Sequence, residues 1–177
     1  MIHFLLILVP VLIPNVMHMY VVRYNWFSPL NQPISLRLYG ANKTYRGFFV
    51  VPLFSIPAVY LTGVIDQQLP QHLSIGYNQV STLLFAMVLG LAYCLGELPN
   101  SFVKRRAGIA PGKTCEKNPI PYIICDHLDS SIPCILAFYY FLNISAGEAV
   151  ILWLMGCAIH FAVNYILYLF GVRKNPL

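Results

Sequence analysis

Charge is what this chain has least of. Of 177 residues, 10% are charged, only six are acidic, and 58% are hydrophobic. A soluble globular domain is about a quarter charged, because its surface must face water. That surface is missing here, so a separate soluble domain is excluded. Paired cysteines are also missing. Cys94, Cys115, Cys125, Cys134 and Cys157 include no CxxC pair. Four of them lie in or beside apolar runs, so they read as buried, reduced, structural residues rather than disulfide or zinc ligands. The N-terminus lacks the basic n-region of a signal peptide and reads as the first helix of the mature chain. No internal repeat is evident, which weakens a transporter reading.

What the chain does have is long apolar runs. A helix needs about 20 mostly apolar residues to cross the hydrocarbon. Five spans are expected, at residues 4–22, 48–64, 80–95, 122–142 and 148–170. The expected fold is all-α: a polytopic integral membrane protein of about five transmembrane helices, forming a single membrane-embedded domain over residues 1–177. Pro10, Pro14, Pro52 and Pro57 fall inside spans. Membrane helices tolerate them with a kink or tilt when neighbours satisfy the freed carbonyls.

The few charges are not scattered. Residues 23–47, 96–121 and the 171–177 tail are basic, whereas 66–79 and 143–147 hold no Lys or Arg. Basic segments mark the cytoplasmic side. The alternation predicts an N-terminus outside and a C-terminus in the cytoplasm, in a plasma or inner membrane. Positive-inside bias alone would account for basic loops; the carboxylates call for more.

Residues 96–131 hold five of the eleven Lys and Arg residues and four of the six acidic ones. Asp126 and Asp129 are three apart at the expected start of the fourth span, so on a helix they share a face. Two carboxylates there repel each other unless a cation sits between them, and magnesium uses carboxylates together with substrate phosphates. Helix capping is the plainer explanation for one Asp, with Pro119 and Pro121 upstream fitting a helix start. It fits two less well. Glu97, where the third span leaves the membrane, is a third metal ligand or an interfacial residue. Ser101 with Lys104, Arg105 and Arg106 forms the basic counterpart, suited to phosphate oxygens or to anchoring on anionic headgroups. Lys43 and Arg46, at the mouth of the second span, carry the same two readings. His160 and Asn164 share a face of the fifth span, as an interhelical hydrogen-bonding pair or as substrate contacts. The combined reading is a site for a polyphosphate nucleotide and its divalent metal, presented to a lipid phosphate.

These motifs suggest a family. SFVKRR followed by CDHLDS resembles the CDP-diacylglycerol synthase family, where a Ser-x-x-Lys-Arg segment precedes an Asp-x-x-Asp segment. NKTYRG and KRRAG bring the chain nearer to the small archaeal branch, the CDP-archaeol synthases, which have five predicted spans. The resemblance covers most of the chain from Asn42 onward. It implies a cytidylyltransferase in which a lipid phosphate attacks the α-phosphorus of CTP and pyrophosphate leaves. It implies Asp126 and Asp129 as ligands of Mg2+, or of Mn2+, which would look the same. Lys104 and Arg105 are implied as phosphate-binding cations, with Lys43 and Arg46 after them. Two departures stand out: Glu97 replaces the family's Asp after Gly, and His127 stands where Gln or Arg is usual.

The expected partners are CTP, a phosphorylated lipid of ether or ester type and membrane lipids, with no nucleic acid; homo-oligomerisation is left open. A CDP-alcohol phosphotransferase would need an Asp-Gly-x-x-Ala-Arg pattern that is absent. The non-enzymatic alternative is a transporter or a scaffold with a cytoplasmic face that binds anionic lipid.

Overall fold

The structure is a computed structural model that describes residues 2–113, 115 and 117–172, with side chains from residue 4 onward. The basic tail residues Arg173 and Lys174 lie outside the described residues. Six α-helices follow one another: α1 Ile2–Arg23, α2 Tyr45–Asp66, α3 Thr82–Arg106, α4 Pro119–Leu128, α5 Ser131–Leu142 and α6 Ala146–Leu169. Among the described residues there is no strand, and one isolated antiparallel bridge joins Pro33 to Thr44. The all-helical expectation holds.

Helices α1, α2, α3 and α6 are long and apolar enough to cross a membrane, at 20 to 25 residues each. Only 17% to 39% of their most apolar windows are buried inside the protein. Helices that are apolar all round yet so little buried need lipid as their solvent. The chain is therefore a multi-pass membrane protein. Within the bundle, α2 packs on α1 and α3, α3 on α5, and α5 on α6. The core centres on Phe85, which is fully buried. Its ring lies 6.0 Å from that of Phe138 and 5.0 Å from that of Phe141. All five cysteines are free; Cys94 and Cys134 are buried, and Cys125 is exposed.

Two elements differ from the expected spans. First, α3 runs eleven residues past residue 95, to Arg106. Residues 96–106 are therefore helix rather than loop. Pro99 lies inside this helix without ending it, and Lys104, Arg105 and Arg106 occupy its last turn, where cations complement the helix dipole. Second, the fourth span is broken into α4 and α5. Pro133 has no N–H to give the Asp129 carbonyl four residues earlier, and its ring crowds that carbonyl. In the first turn of α5 the missing N–H costs nothing. The regular helix is interrupted at Asp129 and Ser130, which keep right-handed helical dihedrals, and α5, with 12 residues, is about 18 Å long at 1.5 Å per residue.

At the opposite end of the bundle, buried Asp66 ties down the 67–80 connection. Its carboxylate accepts from Ser74 Oγ and from the backbone N–H groups of Ile75, Gly76 and Tyr77. Asp66 thus has a structural task far from the other carboxylates.

Candidate active site

The helical continuation of α3 builds one wall. Glu97, Asn100, Ser101 and Lys104 are spaced by three, four and seven residues, so they share a face. The break between α4 and α5 builds the wall opposite. Gly96 is why the two walls meet: a Cβ there would lie 2.7 Å from the Asp129 carbonyl oxygen and 2.8 Å from Ser130 Cα. Only hydrogen fits, so the α3 backbone touches the break and Asp129 is set beside Asn100.

The contacts across this junction are short and charged. Lys104 Nζ donates to both oxygens of Asp126, at 2.6 and 2.5 Å. Asn100 Nδ2 donates to Asp126 Oδ1 at 2.6 Å and to Asp129 Oδ2 at 2.9 Å. The second Asp129 oxygen accepts the Ser130 N–H at 2.6 Å. The two aspartates thus face the same way, as their spacing predicts, and converge on one amide nitrogen.

Lys43 reaches the site from the loop between α1 and α2. The Pro33–Thr44 bridge holds that loop closed, with Ile34 N donating to Lys43 O at 2.9 Å. Lys43 Nζ is ion-paired to Glu97. Burial works against the Lys43 charge, but the Glu97 carboxylate, by charge and hydrogen bond and with Asp129 behind it, more than offsets this and raises its pKa above the usual lysine value.

Lys43, Glu97, Ser101, Lys104, Arg105, Asp126 and Asp129 all line one cleft of about 350 Å³, and so do His160 and Asn164 of α6. Two expected residues do not join them. Arg46 is buried and turned into the loop after α1, where its Nη1 donates to Asn25 Oδ1 at 3.0 Å and to Trp26 O at 3.3 Å. The Arg106 guanidinium lies over the Phe102 ring, 5.0 Å from its centroid, on the outer side of α3. Adjacent residues on a helix are about 100° apart, so Arg105 and Arg106 cannot both face the cleft. Among the described residues no group of three or more His, Cys, Asp or Glu side chains is assembled to hold a metal. Glu97 is engaged by Lys43 rather than clustered with the two aspartates.

The cleft also contains residues that the motif reading passed over: Asn100 on α3, Asn15 and His18 on α1, and Tyr39 in the first loop, while Asn42 of the NKTYRG segment lines it too. Asn100 was findable, because it falls on the Glu97–Lys104 face once α3 is continued past Pro99. Asn15 and His18 carry no spacing signal relative to residues 96–131; only the packing of α1 brings them in.

Arg105 has no ion-pair partner among the described residues. Its Nε and Nη1 are shielded from solvent and have no hydrogen-bond partner among the described residues. Gly40, at φ +84°, lies against it; a Cβ there would come within 2.9 Å of both Arg105 Nη1 and Pro111 Cγ. Glycine is needed at that position both for the left-handed turn and for room beside the guanidinium.

The whole chain, residues 1–177, matches the family model described as CarS-like, CDP-archaeol synthase. Curated relatives named CDP-archaeol synthase agree with it. The protein of Methanococcoides burtonii is 30% identical over 158 residues, covering 79% of this chain and 82% of the relative. That of Staphylothermus marinus is 32% identical over 143 residues, covering 78% and 70%. That of Methanoculleus marisnigri is 31% identical over 146 residues, covering 79% and 81%. No solved structure matches the chain. A family match over the full length, on a helical membrane fold, places this chain in the CarS-like CDP-archaeol synthase family.

Proposed function

We propose that the protein is a membrane-bound, CTP-dependent cytidylyltransferase acting on a lipid phosphate of the archaetidic acid type. An ionised oxygen of the lipid phosphate attacks the α-phosphorus of CTP. The bond from that phosphorus to the oxygen bridging it to the β-phosphorus breaks, and pyrophosphate leaves with the electron pair. The nucleophile is already anionic, so no strong general base is required. Catalysis of such a transfer rests on positioning and on neutralising charge.

The observation that carries this reading is Arg105: its Nε and Nη1 are shielded and lack a hydrogen-bond partner among the described residues, on the wall of a cleft that also holds Lys43 and Lys104. A buried charge left unpaired is costly unless a ligand completes it, and a guanidinium fork suits phosphate oxygens. Lys104 holds the Asp126 carboxylate in place on the cleft wall, and Ser101 supplies a hydroxyl to the same cleft. Lys43 serves as a second phosphate cation, Arg46 braces the loop that carries it, and Arg106 meets the membrane surface.

The donor set suits a divalent cation. Oxygens of Asp126 and Asp129 come together at Asn100, so these two carboxylates would hold Mg2+, which favours carboxylate and phosphate oxygens. When bound, the ion would neutralise charge on the triphosphate. Glu97 lines the same cleft and would join by exchanging Lys43 for the metal. The basic helix ends and loops of this face are assigned to the cytoplasm, where CTP is, leaving the N-terminus outside and the C-terminus inside.

The test uses purified protein in detergent with radiolabelled CTP, Mg2+, and either phosphatidic acid or its archaeal diether analogue. Label is expected in the lipid phase, more with the diether. Asp126→Asn and Asp129→Asn should each lose transfer by at least 100-fold while inserting normally. Folded, CTP-binding protein that labels neither lipid would overturn the proposal.

A further inference from the structure

Two cavities meet inside the bundle. The charged cleft is one. The other is a narrow apolar slot of about 40 Å³ between α1, α5 and α6, lined by residues such as Leu8, Leu12, Phe138 and Leu152. Asn15, Tyr93 and His160 line both. The join is graded along α1: Leu8 and Leu12 face the slot, Asn15 stands at the join, and His18 faces the charged cleft.

Asn15 lies in an apolar membrane helix and is 6% exposed. Among the described residues its side-chain amide has no hydrogen-bond partner. Asparagines in membrane helices normally bond across to a neighbouring helix. Asn15 does not, although it lines open space on two sides. An amide that borders open space where a polar and an apolar cavity join fits a partner brought by the ligand.

We infer that Asn15 is a specificity-determining residue whose amide N–H donates to the glyceryl linkage oxygen of the lipid substrate. The inference rests on the lipid-phosphate reading above. A lipid phosphate at the reacting centre of the cleft, with its chains directed toward the apolar side where the slot lies, passes its neutral linkage oxygens at the level of Asn15. Those oxygens, whether ether or ester, only accept hydrogen bonds, so the donor half of the amide is what counts. A nucleotide phosphate would seek the cations instead.

The experiment compares two acceptors with radiolabelled CTP: a dialkylglycerol phosphate, and a simple alkyl phosphate of the same chain, which lacks linkage oxygens. Wild-type protein is assayed beside Asn15→Leu, Asn15→Asp and Asn15→Gln. The expected result is a KM for the dialkylglycerol phosphate raised about tenfold in Asn15→Leu and Asn15→Asp, equivalent to about 1.4 kcal/mol. The KM for CTP should stay within twofold, and Asn15→Gln, which keeps the donor, should recover most of the loss. The wild-type preference for the dialkylglycerol phosphate over the alkyl phosphate should disappear in Asn15→Leu. CTP binding measured separately reports that each variant is folded. A raised KM for CTP with the lipid KM unchanged, or an equal loss on both acceptors, would overturn the assignment. Absence of transfer by the wild-type protein to either acceptor would instead overturn the cytidylyltransferase reading itself.

Discussion

Arg105 and Arg106 are neighbours in sequence and opposites in structure. Arg105 sits shielded beside Gly40 with two nitrogens unpartnered, whereas Arg106 is exposed over Phe102. Charge-assisted hydrogen bonds are worth about 1.5–3 kcal/mol each. Arg105→Ala is therefore expected to raise the KM for CTP by more than tenfold, and Arg106→Ala by far less. Steady-state kinetics at saturating lipid separates the two; equal effects would mean that the cleft does not select between them. Lys would restore only part of the loss at residue 105, because it replaces a fork with a point charge. The same scale explains the isolated acidic residues. Asp66 is satisfied by a hydroxyl and three backbone N–H groups, and Glu148 closes a capping box with Ser145 at the start of α6. Apart from those two, Glu97, Asp126 and Asp129 are the described carboxylates, and all three line the cleft.

At the scale of elements, the site depends on one helix being longer than its apolar part and another being broken. Lys104 reaches Asp126 because α3 carries on past the membrane-like stretch to Arg106. Asp129 reaches Asn100 because Pro133 interrupts what would be a single span and Gly96 lets the break touch α3. Gly96→Val should push α3 off this break. A side chain forced into a packed contact costs about 1–3 kcal/mol, so a lower midpoint of thermal unfolding is expected. Transfer activity should fall more steeply than that, because Asp129 moves with the backbone. Gly147, where an added Cβ meets nothing within 4 Å, provides the control: Gly147→Ala should leave both measurements near wild type. A Gly96→Val protein with normal activity would show that the contact has no positioning role.

The whole molecule is a bundle whose two ends differ in chemistry. One end gathers Lys43, Lys104, Arg105 and three carboxylates into the cleft, and the Arg23 guanidinium donates to the Gly171 carbonyl, tying the end of α1 to the end of α6 there. The other end, around residues 67–80 and 143–145, has no Lys or Arg. The orientation proposed above is argued from this polarity and is directly measurable. In a variant with the five native cysteines replaced, Gln71→Cys should react with a membrane-impermeant thiol reagent applied to intact cells. Arg37→Cys should react only after the cells are opened. The reverse pattern would invert the topology and put the cleft on the side without CTP.

The sequence by itself determined the solvent, the helical class and the chemical inventory. A chain that is 10% charged cannot cover itself in water, long apolar runs have one stable form in lipid, and a face of Asp126 and Asp129 follows from a spacing of three. Motif order was legible too, because it is written along the chain. Much of the site was not. Whether Pro99 ends a helix or lies within it, and whether Pro133 breaks a span, depends on what packs against the freed carbonyl. Which of Arg105 and Arg106 faces inward depends on where α3 is rotated by its contacts with α2 and α5. Asn15 and His18 join the cleft only because α1 closes over it, across more than seventy residues of chain. Local spacing encodes which residues share a face; only the packing of helices against one another decides which faces meet.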